Sequence, residues 1–189
     1  MLIRHAEPDD AAGCLAVYAP FANDTAVSFE HKAPSLEDYR QRIARVSGTH
    51  AFLVAAEGDE IAGFAYGGVH RERLGYSWTC EVSVYLGDGF RGRGLGGELY
   101  RVLFGLLEQQ GYRLMLAGIT LPNAASVGLH RSLGFEDVGV YKRVGWKAGG
   151  WCDVLWLARP LGPETHETEL PPPPGPPVRL PEPVLISDR

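Results

Sequence analysis

The spacing of apolar residues changes period twice in the middle of the chain. From 78 to 86 the residues are β-branched and aromatic, with the pattern of a strand. From 98 onward Leu99, Val102, Leu103, Leu106 and Leu107 recur at helical spacing. Between them lie Gly87 and Gly89, and then a denser cluster of Gly92, Gly94, Gly96 and Gly97 with Arg91 and Arg93 among them. Strand, glycine-rich basic loop and helix form one unit, and the other elements are read around it.

Upstream, residues 2–6 predict a short strand. The acids of 7–10 suit a helix start, and Ala11, Cys14, Leu15, Val17 and Tyr18 carry that helix to about 21. Residues 26–29 read as a short extended piece. Ser35, with Asp38 three residues on, caps a second helix whose buried face is Tyr39, Ile43 and Val46; Gly48 ends it. Strands follow at 51–57 and 60–70, joined by the tight turn Gly58-Asp59. After the central helix come a strand at 113–119, a helix at about 123–133, and strands near 135–143 and 151–157. The hairpin joining the last two carries Gly145, Gly149 and Gly150. Helices interspersed with mostly antiparallel strands give a mixed α/β, or α+β, layered fold.

Composition then divides the chain. Residues 1–161 have the makeup of one folded domain. Residues 162–189 hold nine prolines of the chain's 14, which predicts an extended tail, disordered or draped over the surface. The net charge of −5 leaves no general nucleic-acid footprint, so any anion site is local. No apolar run is long enough for a membrane span, and the start lacks a signal-like region. Cys14, Cys80 and Cys152 are scattered without metal-ligand spacing, which fits a reduced, cytoplasmic setting and no metal.

The glycine loop has the chemistry of a phosphate cradle. Glycine lets the backbone approach an anion and adopt positive φ, and a helix start offers N–H groups with the positive end of the dipole behind them. Gly92, Gly94 and Gly97 satisfy a dinucleotide G-x-G-x-x-G, but the next strand ends in Thr120-Leu121-Pro122 without the acid such a site needs. A P-loop lysine is absent as well. The run Arg91-Gly92-Arg93-Gly94-Leu95-Gly96 resembles instead the pyrophosphate loop of the GNAT N-acetyltransferases, which bind acetyl-CoA. Asn123, Leu129 and Leu133-Gly134-Phe135 resemble the helix-to-strand signature of the same family.

This resemblance implies a twisted mixed sheet whose fourth and fifth strands splay to admit acetyl-CoA. Arg91, Gly92, Arg93, Gly94, Leu95, Gly96 and Gly97 would hold its pyrophosphate. Backbone N–H groups of Val84, Tyr85 and Leu86 would face the pantetheine and the thioester oxygen, and Asn123 the pantetheine arm. Glu81 is the candidate general base, since apolar neighbours would tune a carboxylate towards neutral pH. His130 stands where the family usually has a tyrosine; it either donates a proton to the leaving thiolate or packs. Asn123 is equally suited to cap a helix.

Finer motifs, Trp78-Thr79-Cys80-Glu81, Leu121-Pro122-Asn123, His130 and 145–154, resemble the phosphinothricin N-acetyltransferase branch. Its members acetylate the α-amine of phosphinothricin, methionine sulfoximine or methionine sulfone, and are usually homodimers. The resemblance assigns Phe29, Arg71, Arg73 and Tyr76 to the acceptor; arginine forks suit an amino acid with a second anionic or tetrahedral group. Arg71 stands where close relatives often have lysine. Acetylation of another amine (a peptide N-terminus, a polyamine, an aminoglycoside) and a non-catalytic acyl-CoA-binding module are the rival readings.

Overall fold

A computed structural model of the chain describes residues 1–163 and 168–186. The helices are α1 (Ala11–Asp24), α2 (Leu36–Ser47), α3 (Leu95–Gln110) and α4 (Ala124–Ser132). The strands are β1 (Leu2–His5), β2 (Phe52–Glu57), β3 (Glu60–Val69), β4 (Thr79–Leu86), β5 (Leu114–Thr120), β6 (Glu136–Lys147), β7 (Gly150–Pro160) and β8 (Val184–Leu185). They form one sheet in the order β6-β7-β5-β4-β3-β2-β1-β8. The neighbouring pairs are antiparallel except β4 with β5, which run parallel.

Strand parity sorts the core into two layers. Leu53, Ala55, Ala65, Cys80 and Val82 pack against α3 through Leu99, Leu103 and Leu107. Phe52, Val54 and Phe64 turn the other way, onto Tyr18 of α1 and Tyr39 and Ile43 of α2. With both faces covered, β2 is buried along all but its last residue, which is why its sequence lacks polar alternation.

One pairing decides where a ligand can enter. The β4–β5 ladder joins Thr79 to Leu114, Cys80 to Met115 and Glu81 to Leu116, and goes no further. Beyond Glu81 the two strands diverge while β4 keeps its pairing with β3 as far as Leu86. The fourth and fifth strands therefore splay as the family resemblance implied.

Several local expectations need revision. Residues 26–28 form bends and Phe29 lies outside any strand, so the expected extended piece is absent. Gly48 does end α2, as expected, though in right-handed conformation (φ −77°), whereas Gly111 at the end of α3 is left-handed (φ 106°). Gly145 belongs to β6, and the β6–β7 turn is made by Ala148 and Gly149. The described part of the tail runs back over the sheet. Pro172 accepts a hydrogen bond from Trp78 Nε1 (2.9 Å), Gly175 and Gln110 exchange backbone and side-chain bonds, and β8 pairs with β1.

Candidate active site

Gly92 (φ 74°) and Gly94 (φ 82°) adopt left-handed conformations that side chains disfavour, and Gly94 is the N-cap of α3. A Cβ at Gly96 would meet Leu129 at 3.2 Å and Leu86 at 3.5 Å, so the start of α3 packs closely onto α4 and β4. Nothing would obstruct a Cβ at Gly92 or Gly94, so the loop's outer side is open. At the start of this 16-residue helix the N–H groups of Leu95 and Gly96 have no helical acceptor, whereas that of Gly97 already donates to Gly94 O (3.0 Å). Arg91 folds back: its Nε donates to Leu86 O (3.2 Å), its guanidinium pairs with Asp88 (2.8 Å) and lies over Phe21. Arg93 lies by the ring of Phe90. These features fit a diphosphate, with backbone donors and two cations around an open glycine turn.

Two adjoining cavities occupy the splay. The smaller, about 60 Å³, is lined by Val84, Tyr85, Asn123, Ser126 and His130. Asn123 Oδ1 accepts from Ser126 N (3.1 Å), so Asn123 is the N-cap of α4. His130 is buried and has a partner on each ring nitrogen. Nδ1 is 2.8 Å from Ser126 O, a contact that requires Nδ1 to donate; Nε2, 3.1 Å from Tyr100 Oη, must then accept. Burial lowers its pKa, and the bond to Ser126 only partly opposes this. The ring is therefore neutral and carries no proton on Nε2, an arrangement that packs and orients better than it donates.

The larger cavity, about 320 Å³, joins Glu81 and Phe29 with Ser83, Tyr85, Tyr141 and Trp156. Glu81, Ser83 and Tyr85 share the face of β4 turned towards α1, while Cys80 and Val82 face α3. Glu81 is less buried than its apolar neighbours suggested: its side chain is 39% exposed, and Oε1 lies 2.7 Å from His70 Nδ1. Cys80 beside it is fully buried, and burial pushes its thiol up to about 12, so it offers no thiolate nucleophile.

Arg71, Arg73 and Tyr76 do not line this cavity. Arg71, Arg73 and Tyr76 surround a separate hollow of about 350 Å³, and Arg71 and Tyr76 also border another of about 650 Å³ beneath residues 173–177. His70 links the two regions, stacked edge-on against Tyr76 and bonded to Glu81. Sequence reasoning missed His70, Tyr100 and Trp156. Strand parity would have found His70, but the long 70–78 connection leaves the β3–β4 register undetermined from sequence.

The splayed mixed sheet and glycine loop define an acyl-CoA-dependent acyltransferase, and residues 3–156 match the family model of the acetyltransferase (GNAT) domain. The chain belongs to the GNAT family and is an acetyl-CoA-dependent N-acetyltransferase. It is 33% identical to phosphinothricin N-acetyltransferase of Streptomyces viridochromogenes, over 92% of this chain and 91% of that protein. It is 37% identical to an L-methionine sulfoximine/L-methionine sulfone acetyltransferase of Pseudomonas paraeruginosa, over 85% and 95%. A phosphinothricin acetyltransferase from Sinorhizobium meliloti, solved with acetyl-CoA, superimposes with a TM-score of 0.81 at 33% identity, covering 85% of this chain and 88% of that one. No described helix is long and apolar enough to cross a membrane, and no group of metal-ligating side chains occurs among the described residues.

Proposed function

We propose that the protein acetylates the α-amine of a small anionic amino acid of the phosphinothricin or methionine sulfone kind, with Glu81 as general base. The observation that carries this reading is Glu81 itself: the last β4 residue paired with β5, and part of the wall of the cavity that opens where the strands part.

Acetyl-CoA supplies an activated acyl thioester. The chain's part is to hold it and to manage one proton. The loop from Arg91 to Gly97 grips the pyrophosphate. Backbone N–H groups of β4 between Val84 and Leu86, freed from β5 by the splay, face the pantetheine and the carbonyl oxygen where charge builds. Glu81 takes the proton from the amine as the new N–C bond forms, and the C–S bond breaks with its electron pair leaving on sulfur, so that coenzyme A departs as the thiolate. Asn123 and His130 act through the architecture of α4: Asn123 starts the helix, and His130 holds Tyr100 in the wall of the smaller cavity. Phe29 bounds the acceptor side of the cavity. Arg71, Arg73 and Tyr76 sit beyond His70 around a hollow that Glu72 shares; the two arginines outweigh that one carboxylate, and the net positive rim favours acceptors with a carboxylate and a second anionic group.

A homodimer is part of the same reading. β6 is an edge strand, and Val138, Val140, Tyr141, Val144, Trp146 and nearby Trp151 are exposed on the β6–β7 arm. An apolar edge of this length calls for a partner, and sedimentation velocity tests for a second copy.

The activity is tested by acetyl-CoA-dependent thiol release against phosphinothricin, methionine sulfone, spermidine and a peptide with a free N-terminus. Turnover is expected with the first two. Preference for spermidine or the peptide would overturn the acceptor class, and no turnover with any amine would support a binding module.

A further inference from the structure

Phe64, Tyr66 and Gly68 of β3 stand opposite Tyr85, Ser83 and Glu81 of β4. Gly68, directly across from Glu81, has no side chain and open space where one would be. Alternate residues share a strand face, so the row continues to His70, one residue past the end of β3. A diagonal neighbour on the same face is within reach of a long side chain. Glu81 leans across the gap at Gly68, and its Oε1 lies 2.7 Å from His70 Nδ1.

The His70 ring is packed between aromatic neighbours. Tyr76 and Trp156 meet it edge-on, with centroids at 5.7 and 5.9 Å, and its side chain is 13% exposed. Its other nitrogen is also occupied: Arg71 Nε points at His70 Nε2 from 3.4 Å, at the long end of hydrogen-bond range. A guanidinium can only donate, so Nε2 is the acceptor. The proton of the neutral imidazole then resides on Nδ1, directed at the carboxylate.

We propose that His70 is a positioning residue for the general base. Arg71 sets the tautomer, and Nδ1–H holds Oε1. The second oxygen of Glu81, with no hydrogen bond among the described residues, is then left to meet the amine. A glutamate on an open sheet face would otherwise spread over several rotamers and lose much of the advantage of proximity. The inference rests on the general-base reading and adds to it. It also gives Arg71 a second task, connecting the proposed acceptor rim to the base.

The test compares kcat and KM for methionine sulfone and acetyl-CoA in wild type, Glu81→Gln, His70→Phe and His70→Asn. Phe keeps the ring and loses the donor; Asn loses the ring and keeps a donor near the place of Nδ1. Loss of a hydrogen bond to a charged group is expected to lower kcat of His70→Phe about tenfold, with the acetyl-CoA KM unchanged. His70→Asn is expected to recover most of that loss. A ring that merely packs reverses this order, with Phe tolerated and Asn impaired; that result overturns the proposal. If Glu81→Gln is slow while His70→Phe is normal, the base stands and the positioning role falls. If Glu81→Gln is normal, the base reading itself falls. Imidazole nitrogen shifts of His70 in the wild-type protein decide the tautomer without any variant: a proton on Nδ1 supports the positioning role, and one on Nε2 contradicts it.

Discussion

The ring of Phe29 lies so close to Gly145 that a β-carbon built on the glycine would sit 2.3 Å from it. An aromatic on the α1–α2 connection thus rests on a bare stretch of β6, roofing the cavity that contains Glu81. Gly145→Ala should displace Phe29 rather than unfold the sheet, since β6 is an edge strand. The expected result is a KM for methionine sulfone raised about tenfold, in line with the 1–3 kcal/mol of an overpacked contact, at unchanged acetyl-CoA affinity. Steady-state kinetics with each substrate varied in turn checks this.

The same connection is clamped by Lys147, a buried cation at the end of β6. Its ammonium donates to the carbonyl oxygens of Ala22 and Glu30, at the two ends of the segment carrying Phe29. Lys147→Met fills the space and leaves both carbonyls without that donor, which should cost about 2 kcal/mol or more. Urea unfolding should report that loss, and hydrogen exchange at 25–30 should rise more than exchange in β2. Unchanged exchange there would show that the clamp is dispensable.

Acid should destabilise the fold through His50. Its Nε2 bonds Tyr112 Oη (2.7 Å) and Nδ1 bonds Thr49 Oγ1 (2.9 Å), and burial lowers its pKa to about 4. The unfolded chain takes up this proton near pH 6.5 and the folded chain only near 4. The neutral ring's stability is thus fully present above 6.5 and lost as pH falls towards 4. His5 and His130, also lowered by burial, act in the same direction. Urea unfolding should show about 1–3 kcal/mol less stability at pH 5 than at pH 7, and His50→Gln should reduce that difference. An equal difference in the variant would remove His50 from the account.

Removal of residues 168–189 should lower the melting temperature. The truncation strips β8 from β1, the acceptor of Trp78 Nε1, and the N–H of Leu180 that donates to His5 Nε2 (3.0 Å). For a chain of this size about 2 kcal/mol corresponds to about 4–8 °C. Calorimetry of the truncated chain measures it; an unchanged melting temperature would mean the tail contributes nothing to the fold.

Much of this was legible in the sequence, for physical reasons. The change from strand to helical period around residues 87–97 located β4, the loop and α3, because periodicity and glycine clustering are local signals. Ser35 with Asp38 marked the start of α2, and both capping bonds are present. What stayed hidden depends on long-range register. Nothing local says that His70 meets Glu81, because the 70–78 connection does not set which β3 residue faces which on β4. Gly145 read as a turn residue because its partner, Phe29, is more than a hundred positions away. The proline content marked residues 162–189 as a departure from the domain, yet the docking of Pro172 and Gly175 depends on Trp78 and Gln110, far upstream. His130 offered two readings in sequence, and its surroundings on α4 favour a neutral, packed ring.

The account depends most on Glu81. The direct measurement is single-turnover acetyl transfer to methionine sulfone at saturating acetyl-CoA, in wild type and Glu81→Gln, with acetyl-CoA affinity determined in parallel. A general base at this position predicts a rate lower by about 10²–10⁴ with unchanged affinity. A rate within about twofold of wild type, well short of a base's contribution, would contradict it.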